Sequence, residues 1–116
     1  METHVPFQPD ALVEALGDPS RRAILTRLCE RPASVTALAS ALPVSRPAVS
    51  QHLRVLKAVG LVQDRAEGTR RIYTVQPDAL AALRAYFDDF WQQSLMAFRL
   101  AAESSHDTTR REQEQP

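Results

Sequence analysis

Helix-starting and helix-stopping residues recur so closely in this chain that nothing before residue 77 has room for a long helix. Gly17 stands where a left-handed C-cap would close a first helix over Asp10–Leu16, whose apolar positions Ala11, Leu12, Ala15 and Leu16 have helical spacing. Asp18-Pro19 reads as an N-cap followed by proline at the first helical position. That start opens a second helix with Ala23, Ile24 and Leu28 on its inner side, closed by Pro32. Ser34 caps a short third helix whose apolar positions Val35, Leu38, Ala39 and Leu42 end at Pro43. Ser45 caps a fourth, with Pro47 tolerated in its first turn and Gly60 ending it. Two short helices separated by a turn of a few residues form a helix-turn-helix.

The remaining elements follow the same logic. Leu61–Ala66 and Arg71–Val75 are β-compatible runs separated by Glu67-Gly68-Thr69-Arg70, a hairpin in which Gly68 supplies a positive φ. Such a hairpin is barely stable alone and must lean on the helices. Pro77-Asp78 opens a last helix that the pattern carries to about Ser104. The predicted class is mainly α with a small β-hairpin wing, in the order α1-α2-α3-α4-β-β-α5. Residues 1–104 are read as one winged helix-turn-helix domain, and the polar, aperiodic stretch 105–116 as a disordered tail.

Charge separates the faces of the fourth helix. Val49, Leu53, Leu56 and Val59 mark its inner side, which leaves Arg46, Pro47, Ser50, Gln51, Arg54 and Lys57 outside. The chain has 14 basic and 14 acidic residues, so its net charge of zero names no partner. Between Pro43 and Val75, however, six basic residues face only Asp64 and Glu67, a local basic patch. Arg, Gln and Ser are the side chains that read base edges in a major groove, which admits one helix. Arg46, Ser50, Gln51 and Pro47 are therefore the candidate base contacts, and Arg54, Lys57, Arg65, Arg70 and Arg71 the candidate backbone contacts. His52 lies between the faces and serves either as a phosphate donor or as a packing residue.

The last helix carries Leu80, Leu83, Phe87, Phe90, Trp91, Leu95 and Phe98, more apolar surface than so small a domain can cover. Leu83, Phe87, Phe90, Trp91 and Phe98 are expected to bury against a second copy, with Leu12 of the first helix adding to that homodimer interface. Cys29 is the only cysteine, which excludes an internal disulfide and suits a reducing cytoplasm. No apolar run approaches the ~18 residues of a membrane span, and the beginning of the chain has no signal-peptide pattern. A soluble cytoplasmic protein is expected. Paired carboxylates, a nucleophile with its base, and a phosphate-cradling glycine loop are all missing from the pattern, so no enzyme and no cofactor are expected.

Four motifs in order, Ala15-Leu-Gly-Asp-Pro-Ser-Arg-Arg-Ala-Ile-Leu25, Ser45-Arg-Pro-Ala-Val-Ser-Gln-His-Leu-Arg-Val-Leu-Lys57, Gly60-Leu-Val and Glu67-Gly-Thr-Arg-Arg-Ile-Tyr73, resemble the ArsR/SmtB family of winged-helix transcriptional repressors. The resemblance implies a homodimer joined through its first and last helices, the fourth helix in the major groove of an operator, the hairpin as wing, and release by a small-molecule effector. Thiolate-using metal sensors of that family carry Cys-x-Cys at the start of the third helix, where this chain has Ser34 and Thr36. Hydroxyls are poor ligands for soft metals. Others bind zinc through histidines of the last helix, but no histidine lies between His52 and His106. The likeness is to the branch that senses no metal, and no metal site is expected. The rival reading is a winged-helix protein-interaction module that never meets DNA, since one fold serves both purposes.

Overall fold

A computed structural model describes residues 7–114, with side chains from 7 to 105. Its elements are α1 (Pro9–Ala15), α2 (Pro19–Glu30), α3 (Val35–Ala41), α4 (Arg46–Ala58), β1 (Val62–Glu67), β2 (Arg70–Val75) and α5 (Pro77–Glu114). The mainly helical class, the hairpin and the element order are those expected from the sequence. The chain divides into two units, Met1–Leu83 and Arg84–Pro116.

In the first unit each start signal acts as its chemistry dictates. The Asp18 carboxylate accepts hydrogen bonds from the backbone N–H groups of Ser20 and Arg21, at 2.8 and 3.1 Å. Ser34 and Ser45 accept from Ala37 and Ala48, three residues on in each case. These bonds satisfy donors that the first helical turn leaves without a partner. Gly60 and Gly68 adopt φ of +90° and +65°. A Cβ at Gly60 would also meet the Phe7 ring at 2.8 Å, so that ring would have to shift to admit a side chain.

Gly17 departs from expectation, for its φ is not positive and α1 closes without a left-handed residue. The chain instead tightens into three-residue bonds, Leu16 N–H to Val13 and Gly17 N–H to Glu14. The carbonyls left over are taken by arginines of α2. Arg21 Nε donates to Ala15 O at 2.6 Å and Arg22 Nη1 to Leu16 O at 2.8 Å. Side chains thus do the work that a left-handed glycine does elsewhere.

The core is formed by Leu12 and Ala15 of α1, Ile24, Leu25 and Leu28 of α2, Leu38 of α3, Val49, Leu53 and Leu56 of α4, Leu61 and Val62 at the start of the hairpin, and Ala79. The strands pair antiparallel from Val62↔Val75 to Glu67↔Arg70, leaving a two-residue turn at Gly68-Thr69. That is tighter than the four residues expected. Glycine with positive φ at the first turn position and an ordinary φ at the second is the type II′ pattern, which lets Glu67 and Arg70 pair. A bridge the sequence did not announce ties the wing to the helices, with Ala33 N–H donating to Tyr73 O at 3.1 Å and Tyr73 N–H to Ala33 O at 2.8 Å. It holds the hairpin base against the α2–α3 connection, the support that two strands need.

The second unit is the continuation of α5. The helix spans 38 residues and reaches Glu114, so it does not stop at Ser104, and residues 105–114 are helical rather than an aperiodic tail. Beyond Ser104 there is no proline or glycine before residue 116 to break it, and extending an existing helix is far easier than nucleating one. Among the described residues no helix is long and apolar enough to cross a membrane.

The Asp18 cap makes stability depend on pH. Its carboxyl is held below its ordinary value of 3.8, first by the Arg21 backbone hydrogen bond, then by that of Ser20 and by the charges of His52 and Arg21, against a desolvation that acts the other way. A depressed folded pKa adds stability that is complete above the unfolded value and disappears as pH falls through the folded one. Asp18→Asn keeps a capping side chain but removes the titration. Its melting temperature should therefore fall less steeply than the parent's as pH drops below about 4. Parallel acid limbs in a melting series would exclude this role for Asp18.

Candidate nucleic-acid interface

The outer face of α4 emerges directly from the burial of its inner one. Val49 and Leu56 are fully buried and Leu53 nearly so, in the i, i+4, i+7 spacing of one helical stripe. Arg46, Pro47, Ser50, Gln51, Arg54 and Lys57 are then all exposed. Pro47 costs the helix nothing, since in the first turn its missing N–H would have had no helical partner.

Two of these side chains hold each other. Arg54 Nη1 donates to Gln51 Oε1 at 2.8 Å, one helical turn apart. Arg54, assigned from sequence to the backbone, thus also orients the amide assigned to a base edge.

On the wing, Arg65, Arg70 and Arg71 are exposed. Arg65 makes a 3.4 Å contact with Glu67, both more than half exposed, a geometry worth little in water. Among the described residues Arg46 and Arg70 have no ion-pair partner.

Asp64 is the residue that sequence reasoning passed over as one negative charge among positives. Its Oδ1 lies 2.8 Å from Lys57 Nζ on α4 and its Oδ2 3.2 Å from Arg71 Nε on β2. The Lys57 hydrogen bond holds the Asp64 carboxyl below the ordinary carboxylate range, aided by the Lys57 and Arg71 charges and opposed by burial. Arg71 reaches it diagonally across the ladder, because Asp64 pairs with Tyr73 and Arg71 with Ala66. The available signal was this diagonal, legible only once the hairpin register is known.

His52 is half-buried, and its Nδ1 is shut off from solvent with no hydrogen-bond partner among the described residues. Its ring packs inward at that edge, close enough to Asp18 for its charge to act on that carboxylate. Packing thus accounts for one edge of the ring.

The residues expected at a dimer interface divide by burial. Phe87, Phe90, Trp91 and Phe98 are exposed, as are Leu95, Met96 and Leu100. Leu83 is half-buried against the core of the first unit. Leu12 is corrected outright. It is completely buried inside the protomer, where α1 turns it into the core beside Ala15, so no surface of it remains for a partner.

Three short helices, a polar and basic second helix of the helix-turn-helix, and a tethered hairpin define a winged helix-turn-helix protein. Residues 18–64 match the family model described as bacterial regulatory protein, arsR family. The chain is 52% identical over 101 residues to the HTH-type transcriptional regulator Rv2034 of Mycobacterium tuberculosis, covering 87% of this chain and 94% of that one. Among solved structures, a possible transcriptional regulator for arsenical resistance matches with a TM-score of 0.67 and 43% identity, covering 79% of this chain and 94% of that one. The homodimeric winged helix-turn-helix DNA-binding domain of a possible ArsR-family regulator from Mycobacterium bovis matches with a TM-score of 0.60 and 31% identity, covering 74% and 80%. This chain belongs to the ArsR family of helix-turn-helix transcriptional regulators, and its function class is non-enzymatic.

Proposed function

We propose that the protein is a homodimeric repressor that binds an inverted-repeat operator, with α4 in the major groove and the wing on the adjacent backbone. The observation that carries this reading is the exposed polar face of α4, with its basic and amide side chains free of the protein's own core. Arg46, Pro47, Ser50 and Gln51 meet base edges, and Arg54, Lys57, Arg65, Arg70 and Arg71 meet phosphates. His52, half-buried, reaches a phosphate only through the edge of its ring that is not turned inward. A second copy covers the apolar stripe of α5 from Phe87 to Phe98, and two-fold symmetry then requires paired half-sites. The protein acts in the cytoplasm with its DNA.

Within the family this chain is read as sensing no metal. Ser34 stands where thiolate sensors have a cysteine, is almost fully buried, and its hydroxyl is already engaged in capping α3. A small-molecule effector that releases the protein from DNA belongs to the same reading.

Selection of bound fragments from random duplexes identifies the operator, and two variants then separate the roles. Gln51→Ala should relax base preference at one position per half-site by about 1–3 kcal/mol. Arg70→Ala should weaken binding to every duplex and reduce the salt slope by about one. Gel shifts in which both variants bind like the parent would remove these assignments. Binding that selects no duplex and barely responds to salt would favour a protein-interaction module instead.

A further inference from the structure

A surface built to meet phosphates has little use for a carboxylate, yet one lies at the centre of this one. Asp64 sits in a polar cleft of about 330 Å³ between α4 and the wing, lined also by Ser50, Arg54, Lys57, Arg71 and Tyr73. Its side chain is only 7% exposed, whereas those of Lys57 and Arg71 are 55% and 61% exposed. The acid is thus tucked beneath two cations that face outward.

That layering decides what happens when a polyanion arrives. If either cation left Asp64 for a phosphate, a nearly buried negative charge would lose half its compensation, which is strongly unfavourable. Neither needs to leave. An ammonium has three N–H donors and Lys57 spends one on Asp64, while Arg71 spends its Nε and keeps both terminal nitrogens. The remaining donors are the exposed ones.

We propose that Asp64 is a positioning residue that presets Lys57 of α4 and Arg71 of the wing as a pair, and that one backbone phosphate of the duplex docks between them in this cleft, beside Ser50 and Arg54. The inference rests on the DNA-binding reading above and adds to it the device that registers wing against helix. Backbone contacts carry no sequence information themselves but fix where the reading helix lies in the groove. Asp64 therefore governs discrimination between sequences more than attraction to DNA. Without it the patch gains positive charge and loses preorganisation, two effects that pull non-specific and specific binding apart.

The test uses the full chain, the duplex selected by the parent protein, and a random duplex of equal length. Asp64→Asn should leave affinity for the random duplex equal or higher, with a salt slope at least as steep, while the ratio of selected to random affinity falls about tenfold. Asp64→Glu, which keeps the carboxylate, should bring the ratio back to within about threefold of the parent. An unchanged ratio, an equal loss on both duplexes, or no recovery with glutamate overturns the role of Asp64 and leaves the DNA-binding reading intact. Failure of the parent to select any duplex overturns both.

A second measurement does not depend on the folding of an Asp64 variant. When phosphates of the selected duplex are replaced one at a time by neutral methylphosphonates, one position per half-site should cost the parent about fivefold or more. The same replacement should cost Arg71→Gln almost nothing further, because the docking pair is already broken. A scan without such a position, or one whose cost is undiminished in Arg71→Gln, overturns the proposal.

Discussion

Phe90→Asp is expected to convert the protein to monomers at micromolar concentration and to lower its affinity for a two-half-site duplex by about 10²–10⁴, the gain that linking two binding events provides. Phe87, Phe90, Trp91, Leu95 and Phe98 repeat at three and four residues along α5, and between 46% and 75% of each is exposed in the single chain. Aromatic side chains in such a stripe supply most of the energy of an apolar interface, and a carboxylate placed among them cannot be buried without a partner. The first unit has its own core, so α1 to α4 and the wing should keep their helical circular dichroism. A light-scattering mass that stays at twice the chain mass would take Phe90 out of the interface. A monomer that still binds the paired duplex at parental affinity would show that α5 does not link the two reading helices.

Leu56→Ala should have the opposite profile. Leu56 is completely buried, on the inner face of the same helix whose outer face is proposed to read DNA. Truncating a leucine in a packed core removes contacts and leaves a cavity, at about 2–5 kcal/mol. That is a large share of the roughly 5–15 kcal/mol that holds a domain folded. Denaturant unfolding at fixed protein concentration should show a lower midpoint, and affinity for DNA well below the new melting temperature should stay near the parent's. A loss under about 0.5 kcal/mol would mean that the site collapses around the smaller side chain or is less packed than its burial implies. The two variants separate the two faces of the architecture: one breaks assembly without the core, the other weakens the core without the reading surface.

Several features were legible in the chain because their causes are local. Asp18, Ser34 and Ser45 bond to backbone groups two or three residues away, so their effect needs no knowledge of the fold. The positive φ of Gly60 and Gly68 follows from what their neighbours demand of a helix end and a tight turn. The inner stripe of α4 follows from helical periodicity, and with it the polar outer face. Gly17 failed as a local signal because Arg21 and Arg22 fold back over the end of α1 and take its carbonyls. Leu12 failed because an apolar residue on a short helix faces either a core or a partner, and periodicity cannot distinguish the two. The end of α5 was misplaced because loss of apolar pattern signals loss of a buried face, which is not loss of the helix.

By itself, the order of caps, breakers and apolar stripes determined the number and kind of the elements before α5, their order, and which side of α4 turns outward, because each depends on interactions within a few residues. Tertiary structure alone decided that Asp64 joins Lys57 and Arg71, that Ala33 bridges to Tyr73, and that Leu12 belongs to the core. Those contacts join separate elements. Their existence depends on strand register and helix packing, which no single stretch of the chain encodes.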